Sequence, residues 1–341
     1  MEYGAIDLHL RRSVFRIEDA SGDVVMEGRI DTTRADLTRI FGERAPMRLL
    51  LESSTDSEWA ATLLESLGHT VIVADPSYLP MYGARHRSVK TDRRDVRALV
   101  SACREGHYRR AHRVPASTRA LRQELRVRRH LVQMRTQTIN VLRSLLRQEG
   151  LRLPGGDANH ALARLARVTR PAALAHVLGP LQEWLATLQA LITQADTAVD
   201  TRAAADPIAR HLMTVPGVGP VIALTYRAVL DTPTRFGGNA SRASAFVGLI
   251  PSEYSSGEQQ RRGHITKRGP RELRALLVQA SWVVWRNRGA TSAPLRAWAQ
   301  ALAARRGRRI AIVALARRLS RILLALWRDQ TDFRPHVLTQ A

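Results

Sequence analysis

The sequence predicts an α/β domain at the N-terminus, a basic helical segment in the middle and a mostly helical domain at the C-terminus. Apolar runs of strand length recur early in the chain, at residues 4–8, 14–17, 24–30, 47–51 and 70–74. A helix pattern with Trp59, Leu63 and Leu64 on one side, closed by Gly68, separates the last two runs. Meandering strands, a strand–helix–strand unit and then a helix that begins with acids form the order of an RNase H-like α/β fold.

A helical hairpin is predicted after residue 115. Apolar residues step in a heptad-like pattern along the first helix, and arginines occupy its other faces. These apolar positions are Leu121, Leu125, Val132, Ile139, Leu142 and Leu146. A second helical stretch, at about 178–203, follows a Gly/Pro-rich loop at 153–157 and has leucines at helical spacing. The two helices are expected to pair in antiparallel fashion, within one chain or between two. The predicted domains are residues 1–115, 116–205 and 206–341.

The charge of the chain indicates a polyanionic partner. The 341 residues include 53 Lys and Arg against 30 Asp and Glu, a formal net charge of +23, and nearly all the basic residues are arginine. The planar guanidinium group suits phosphate recognition, so nucleic acid is the first partner to consider. Cys103 is the only cysteine, which excludes a disulfide framework and a cysteine-based zinc site.

The sequence does not predict a membrane protein. The first residues enter a strand-like run, with no signal or transit peptide expected before it. The last long apolar stretch is interrupted by Arg317, Arg318 and Arg321. We therefore expect a soluble cytoplasmic protein that acts on nucleic acid.

Four carboxylates from three distant segments are the candidate catalytic residues. Asp92 and Asp95 lie three residues apart at the start of a predicted helix, on one face, where they are also suited to complement the helix dipole. Asp7 interrupts an apolar strand, and Glu52 ends another. A lone buried carboxylate is costly unless it is paired or binds a metal. In an RNase H-like fold the four side chains would converge and hold two divalent ions about 4 Å apart, which clamp a phosphodiester.

Several basic or glycine-rich positions are candidate nucleic-acid contacts. They are Lys90, Arg93 and Arg94 beside the acids, Arg122, Arg126 and Arg129 on the basic helix, and Gly217 and Gly219 in the turn Pro216–Pro220. The turn is similar to a helix-hairpin-helix turn, whose backbone amides point at a phosphate. A solvated basic helix face and an ordinary tight turn are the alternative interpretations.

The motifs together resemble a known family. The N-terminal segments are GAIDLH, LLLESS, TVIVADPSYL and KTDRRDVRAL, and the C-terminal segments are VPGVGPVIA, FVGLIPSEYSSG, GHITKRGPRELRALL and IAIVALARRLSRILLALWRD. In this order they are similar to the DEDD transposases of the insertion sequence 110 family, relatives of the Piv DNA invertase. The resemblance covers nearly the whole chain.

The resemblance implies a RuvC-like catalytic domain and a serine nucleophile supplied by a C-terminal transposase domain. Asp7, Glu52, Asp92 and Asp95 match the four acidic positions, and Mg²⁺, or Mn²⁺, is the implied cofactor. Ser256, which directly precedes a glycine, matches the nucleophile, and Ser255 is the second candidate. The basic residues that follow are candidates for holding the DNA backbone, namely Arg261, Arg262, His264, Lys267 and Arg268.

The resemblance also implies partners. Double-stranded donor and target DNA would be paired with a small non-coding bridge RNA, so that base pairing reads sequence while the protein reads backbone and shape. A homo-oligomer, arranged as a dimer of dimers, and a location in the prokaryotic cytoplasm with the nucleoid are implied likewise.

Two other functions stay open on the sequence. One is a RuvC-like nuclease that hydrolyses DNA with a metal-activated water, in which Ser256 is structural. The other is a non-catalytic nucleic-acid-binding protein. A covalent protein–DNA adduct distinguishes the recombinase from both.

Overall fold

The computed structural model of the protein describes residues 1–82, 92–253 and 262–335. The chain divides into two compact units, Met1–Arg113 and Val114–Ala341. The further division of the second unit at residue 205 stays a prediction. Among the described helices, none combines the length and the apolar character that are needed to cross a bilayer.

The first unit is built on a five-stranded mixed sheet, and each strand predicted from the sequence is present. The strands are β1 (Tyr3–Asp7), β2 (Arg12–Glu18), β3 (Val24–Asp31), β4 (Arg48–Glu52) and β5 (Thr70–Ala74), in the spatial order β3-β2-β1-β4-β5. The first three strands are antiparallel neighbours, whereas β4 is parallel to both β1 and β5. The register pairs Ile6 with Leu51, so the next residues, Asp7 and Glu52, come to the same edge of the sheet.

Helices cover both faces of this sheet. On one face, α1 (Arg34–Phe41) and α2 (Ser57–Ser66) form a core with strand residues such as Phe15 and Leu49. On the other face lies α3 (Asp92–Glu105), whose buried residues Val96, Leu99 and Val100 share a core with Ala5 and Leu50. Residues that are buried on both faces explain why β1 and β4 are almost wholly apolar until their last positions.

The second unit begins with the predicted hairpin. Helix α4 (Ala116–Gln148) and helix α6 (Ala172–Ala205) flank a short helix, α5 (Ala161–Ala166). Glu124 pairs with Arg202 and Arg128 with Asp196, which shows that the long helices run antiparallel within one chain. Helix α6 begins before the predicted residue 178, although Pro180 lies inside it, and the loop 153–157 is present.

The remainder of the second unit packs around one apolar core. It contains α7 (Pro207–Met213), α8 (Pro220–Leu230), α9 (Ala240–Phe246), β6 (Pro251–Glu253), β7 (Arg262–Ile265), α10 (Arg271–Arg286), α11 (Ala293–Arg306) and α12 (Arg308–Asp329). Tyr226 of α8 is fully buried in this core, and its hydroxyl donates a hydrogen bond of 2.6 Å to the backbone oxygen of Ser320. Leu121 and Leu125 of α4 belong to the same core, which joins the hairpin to the C-terminal helices.

Candidate active site

Asp7, Asp92 and His9 form a compact group at the end of β1. The His9 Nε2 atom lies 3.3 Å from Asp7 Oδ2 and 3.8 Å from Asp92 Oδ1. One ligand atom from each of the three residues falls within 4.8 Å of the other two. Such a spacing is compatible with joint coordination of one cation.

The charges of the other three predicted carboxylates, Glu52, Asp92 and Asp95, all act on Asp7. Burial raises the pKa of the Asp7 carboxyl above its ordinary value, and His9 opposes this effect. The negative charges of Glu52, Asp95 and Asp92 raise the pKa further. A partly buried carboxyl with three other negative charges acting on it is a place that a divalent cation would stabilise.

The four carboxylates are held by regular structure. Asp7 and Glu52 end two adjacent parallel strands, and α3, which packs against the same sheet, begins at Asp92. Asp92 is partly exposed, whereas Asp95 turns toward the sheet and is buried. The three-residue spacing on a helix is what brings both acids to the side of α3 that faces the strands.

Sequence reasoning missed two residues of this site, His9 and Tyr82. Tyr82 ends a 3₁₀ turn at Leu79–Tyr82, and its hydroxyl donates a hydrogen bond of 2.6 Å to Glu52 Oε1. His9 follows Asp7 by two residues. Because side chains two residues apart in an extended chain point to the same side, the sequence could have indicated that His9 lies beside Asp7. Tyr82 had no comparable signal, because its contact spans thirty residues.

The donor set fits the metal that the sequence suggested. Hard divalent cations such as Mg²⁺ and Mn²⁺ prefer carboxylate oxygens, which Asp7 and Asp92 offer beside His9. Asp7, Glu52, Asp92 and Asp95 are the residues suited to hold such ions. Tyr82 fixes the orientation of Glu52 in the way that outer groups orient metal ligands.

The predicted basic contacts differ in their exposure. Arg93, Arg94 and Arg126 are exposed. Arg122 is half-buried and donates hydrogen bonds to the carbonyl oxygens of Ala228 (2.7 Å) and Val229 (3.2 Å) at the end of α8. In this arrangement the Arg122 guanidinium satisfies helix carbonyls that would otherwise lack partners.

Arg129 is also engaged within the second unit. Its Nη1 atom lies 2.5 Å from Glu272 Oε2 of α10. Burial raises the pKa of Glu272, while the nearby charges of Arg129 and Arg128 lower it. Lys267 and Arg268 are exposed in the loop before α10, where Lys267 has a left-handed φ of 54°.

The two glycines of the predicted phosphate turn have different surroundings. Gly217 has a φ of 82°, and a Cβ at this position would lie 2.7 Å from the backbone oxygen of Ala280. Gly219 has an ordinary φ of −98°, precedes α8, and has no heavy atom within 4 Å of a Cβ placed on it. Gly217 is therefore required by packing against α10, whereas packing places no such requirement on Gly219.

The serine segment lies between β6 and β7. Ser255, Ser256, Arg261 and Lys90 are outside the described residues, and so is the side chain of Arg262. The two strands pair in antiparallel fashion, with Pro251 opposite Ile265.

The segments just before β6 and just after β7 are in close backbone contact. A Cβ on Gly248 would lie 2.1 Å from the Arg268 backbone oxygen, and one on Gly269 would lie 1.9 Å from that of Phe246. Both glycines have positive φ angles. This close crossing explains the glycines of the FVGL and KRGP motifs.

Comparison with known proteins identifies the family. The profile of the Transposase IS116/IS110/IS902 family matches residues 209–295, and the profile of the DEDD transposases of IS110 matches residues 5–150. A probable family 20 transposase of Pseudomonas aeruginosa is 30% identical, over 98% of this chain and 100% of that protein. The transposase for insertion sequence element IS1328 of Yersinia enterocolitica is 27% identical, over 96% of this chain and 98% of its own. The transposase for insertion sequence element IS1111A of Coxiella burnetii is 28% identical, over 82% and 76% respectively.

These similarities define an insertion-sequence transposase, an enzyme that cuts and rejoins DNA. The chain belongs to the IS110 family of such transposases. Transposases with a DEDD set are typically metal-dependent, in agreement with the Asp7, His9 and Asp92 group. The family predicted from the sequence motifs is confirmed.

Proposed function

We propose that this transposase cuts and rejoins DNA strands at Asp7, Glu52, Asp92 and Asp95, with Ser256 as a covalent nucleophile. The proposal is supported by the parallel pairing of β1 and β4, which end at Asp7 and Glu52, and by the charges of Glu52, Asp92 and Asp95 that act on Asp7. The strand order β3-β2-β1-β4-β5, with an acidic helix packed on it, supports an RNase H-like, RuvC-like domain.

The four carboxylates would hold one or two divalent ions and orient the scissile phosphate. When bound, Mg²⁺ or Mn²⁺ would neutralise phosphate oxygens and stabilise the charge that develops on the reacting oxygens. Tyr82 keeps the Glu52 carboxylate in a fixed orientation through its hydrogen bond. His9, placed between Asp7 and Asp92, limits the ways in which these two side chains can turn.

Ser256 would keep the energy of the broken DNA phosphodiester in a covalent serine–phosphate ester. Its hydroxyl oxygen attacks phosphorus, a serine–phosphate ester forms, and the bond to one DNA oxygen breaks. The serine proton ends on the released DNA hydroxyl. A second DNA hydroxyl can then attack the phosphoserine, restore a phosphodiester and return the proton to the serine. This exchange needs no external energy source, which suits a recombinase.

A non-coding bridge RNA is the proposed guide to donor and target DNA. The net charge of +23 and the exposed arginines, among them Arg126 on α4, support backbone contacts with such a polyanion. We propose further that the enzyme acts as a dimer of dimers. In it the serine of one copy would complete the carboxylate site of another.

A trapping assay tests the mechanism. Labelled target DNA, RNA transcribed from the flanks of the element and Mg²⁺ are incubated with wild type, Ser256→Ala, Ser255→Ala and Asp92→Ala. An adduct on a denaturing gel that disappears with Ser256→Ala and Asp92→Ala, but persists with Ser255→Ala, is the expected result. Cleavage without any adduct, unchanged by either serine substitution, would contradict this mechanism and leave a metal-dependent nuclease.

Mixing variants tests the shared site. Ser256→Ala and Asp92→Ala proteins, each inactive alone, are expected to regain adduct formation when they are mixed. Failure of the mixture, with both variants folded and oligomeric, would place serine and carboxylates in the same copy.

A further inference from the structure

The C-terminal helix α12 presents a row of arginines on the side that its core contacts leave open. Arg317, Arg318, Arg321 and Arg328 follow one another at helical spacing, while Leu315, Leu319 and Leu323 are buried. With Trp298 of α11 and Ala240 of α9, the row lines a groove of about 760 Å³. Except for Ala240, these lining residues lie beyond both segments that match the family profiles.

The charges in the groove favour an anionic occupant. The Arg318 guanidinium lies over the Trp298 ring, 4.7 Å from its centroid. Burial and the neighbouring charge of Arg321 both lower the pKa of Arg318. Arg328 is matched by the adjacent Asp329 at 2.7 Å, but the charged neighbour of Arg318 is another cation. Like charges on one helix face are unfavourable until a counter-anion binds.

The remaining walls suit an unpaired nucleotide better than a duplex. Ala314, Ile322 and Ala325 are apolar, and Trp298 is 36% exposed. In duplex DNA the bases are paired and stacked, so only phosphates would contact such walls. A single strand can stack a base on the Trp298 ring or the Arg318 guanidinium and also place a phosphate near the arginines.

The same lining favours DNA over RNA. Apart from arginines, the groove is lined by alanines, one isoleucine and the tryptophan, which provide no side-chain acceptor for a 2′-hydroxyl. We propose that the groove between α11 and α12 binds an unpaired strand of DNA through stacking on Trp298 and phosphate contacts from Arg318 and Arg321.

A second cavity shares a lining residue with the groove and indicates where a bound strand would continue. It has a volume of about 450 Å³, and Arg317 lines both spaces. Arg242 of α9 and Glu253, the last residue of β6, also line it. A strand that continued from the groove past Arg317 would reach the end of β6, after which the serine segment follows in sequence. This last step rests on the proposed role of Ser256, whereas binding in the groove does not.

Binding measurements without cleavage test the groove. The full chain is titrated in EDTA against a short fluorescein-labelled oligothymidylate, a duplex of equal length and an oligouridylate. The variants are Trp298→Leu and Arg321→Gln. Arg210→Gln, which removes an exposed arginine of α7 outside the groove, is the matched control. Thermal melting verifies that every variant is folded.

Each groove variant is expected to weaken oligothymidylate binding in its own way. Trp298→Leu should reduce affinity roughly 5- to 100-fold and leave the salt dependence unchanged, because stacking releases no counterions. Arg321→Gln should weaken binding about tenfold and lower the slope of log affinity against log salt by about 0.7, the value for one lost phosphate contact on a single strand. Arg210→Gln should retain the wild-type affinity and slope.

Three results would overturn the proposal. Unchanged affinity for all three nucleic acids in both groove variants would exclude the groove. An equal loss on the duplex would exclude an unpaired strand as its occupant. A loss confined to the oligouridylate would assign the groove to RNA. None of these results depends on Ser256, so the binding site and the covalent mechanism fail or stand separately.

Discussion

Substituting Gly217 by alanine tests the packing of the turn between α7 and α8. The residue has a φ of 82°, and the added Cβ would lie 2.7 Å from the Ala280 oxygen and 3.3 Å from the Val283 Cβ. A left-handed conformation costs a non-glycine residue roughly 1–2 kcal/mol. Overpacking against a helix backbone adds about 1–3 kcal/mol. We expect a total loss of about 3 kcal/mol.

Gly219→Ala is the matched control, because it adds the same methyl group two residues away. Its φ of −98° is ordinary, and the new Cβ meets no heavy atom within 4 Å. Alanine is a poorer helix N-cap than glycine, so a loss below about 1 kcal/mol is expected.

Differential scanning calorimetry of the full chain compares the two variants. For a unit of this size, 1 kcal/mol corresponds to roughly 2–4 °C in Tm. Gly217→Ala should therefore melt about 10 °C below wild type, and Gly219→Ala within a few degrees of it. Equal melting temperatures for the two variants would refute the close packing of Gly217 on α10.

Three further predictions concern the first unit. Because burial and like charges raise the pKa of Asp7, its contribution to stability is lost as the pH rises through the folded-state pKa. Asp7→Asn should therefore stabilise the metal-free protein by on the order of 1 kcal/mol near neutral pH, with convergence toward wild type in acid, as followed by melting in EDTA. Glu18→Gln, which weakens the contacts of Glu18 with Arg16 and Arg104, should lower the free energy of unfolding in urea by about 2 kcal/mol. An unchanged free energy of unfolding would show that these ion pairs do not stabilise the fold. Tyr82→Phe, which removes the hydrogen bond to Glu52, should raise the Mn²⁺ concentration needed for half-maximal cleavage about tenfold, and an unaltered requirement would disprove the positioning role.

The framework of the first unit was predictable from local pattern. Alternating or continuous apolar runs bounded by turn residues identify the strands, and β1 and β4 end at acids in the sequence itself. Parallel neighbours bring such ends together, so Asp7 and Glu52 could be paired before their contacts were known. The start of helix α3 could also be predicted, since Asp92 and Asp95 occupy its first turn, where acids complement the helix dipole.

The roles of the basic residues were less predictable. A heptad-like helix shows which side is apolar but not which arginines a tertiary neighbour will cover. Arg122 and Arg129 resemble Arg126 in sequence, yet the first two engage α8 and α10. Tyr82 was missed because its partner Glu52 is distant along the chain. The arginines of α12 were noted in the sequence as an interruption of an apolar stretch and as part of a family motif, not as a binding surface.

In the proposed mechanism, Asp7, Glu52, Asp92 and Asp95 form the metal-dependent centre for DNA cleavage. The decisive measurement is the cleavage rate of DNA from the element's end, as a function of Mg²⁺ concentration, for wild type, Glu52→Gln and Asp92→Asn. Asp31→Asn, which alters an exposed acid paired with Arg12, is the control. We predict no cleavage in EDTA, a loss of at least about 100-fold in the two site variants at saturating Mg²⁺, and wild-type rates for the control. Cleavage by Asp92→Asn and Glu52→Gln at the wild-type rate would show that these carboxylates do not form the catalytic metal site.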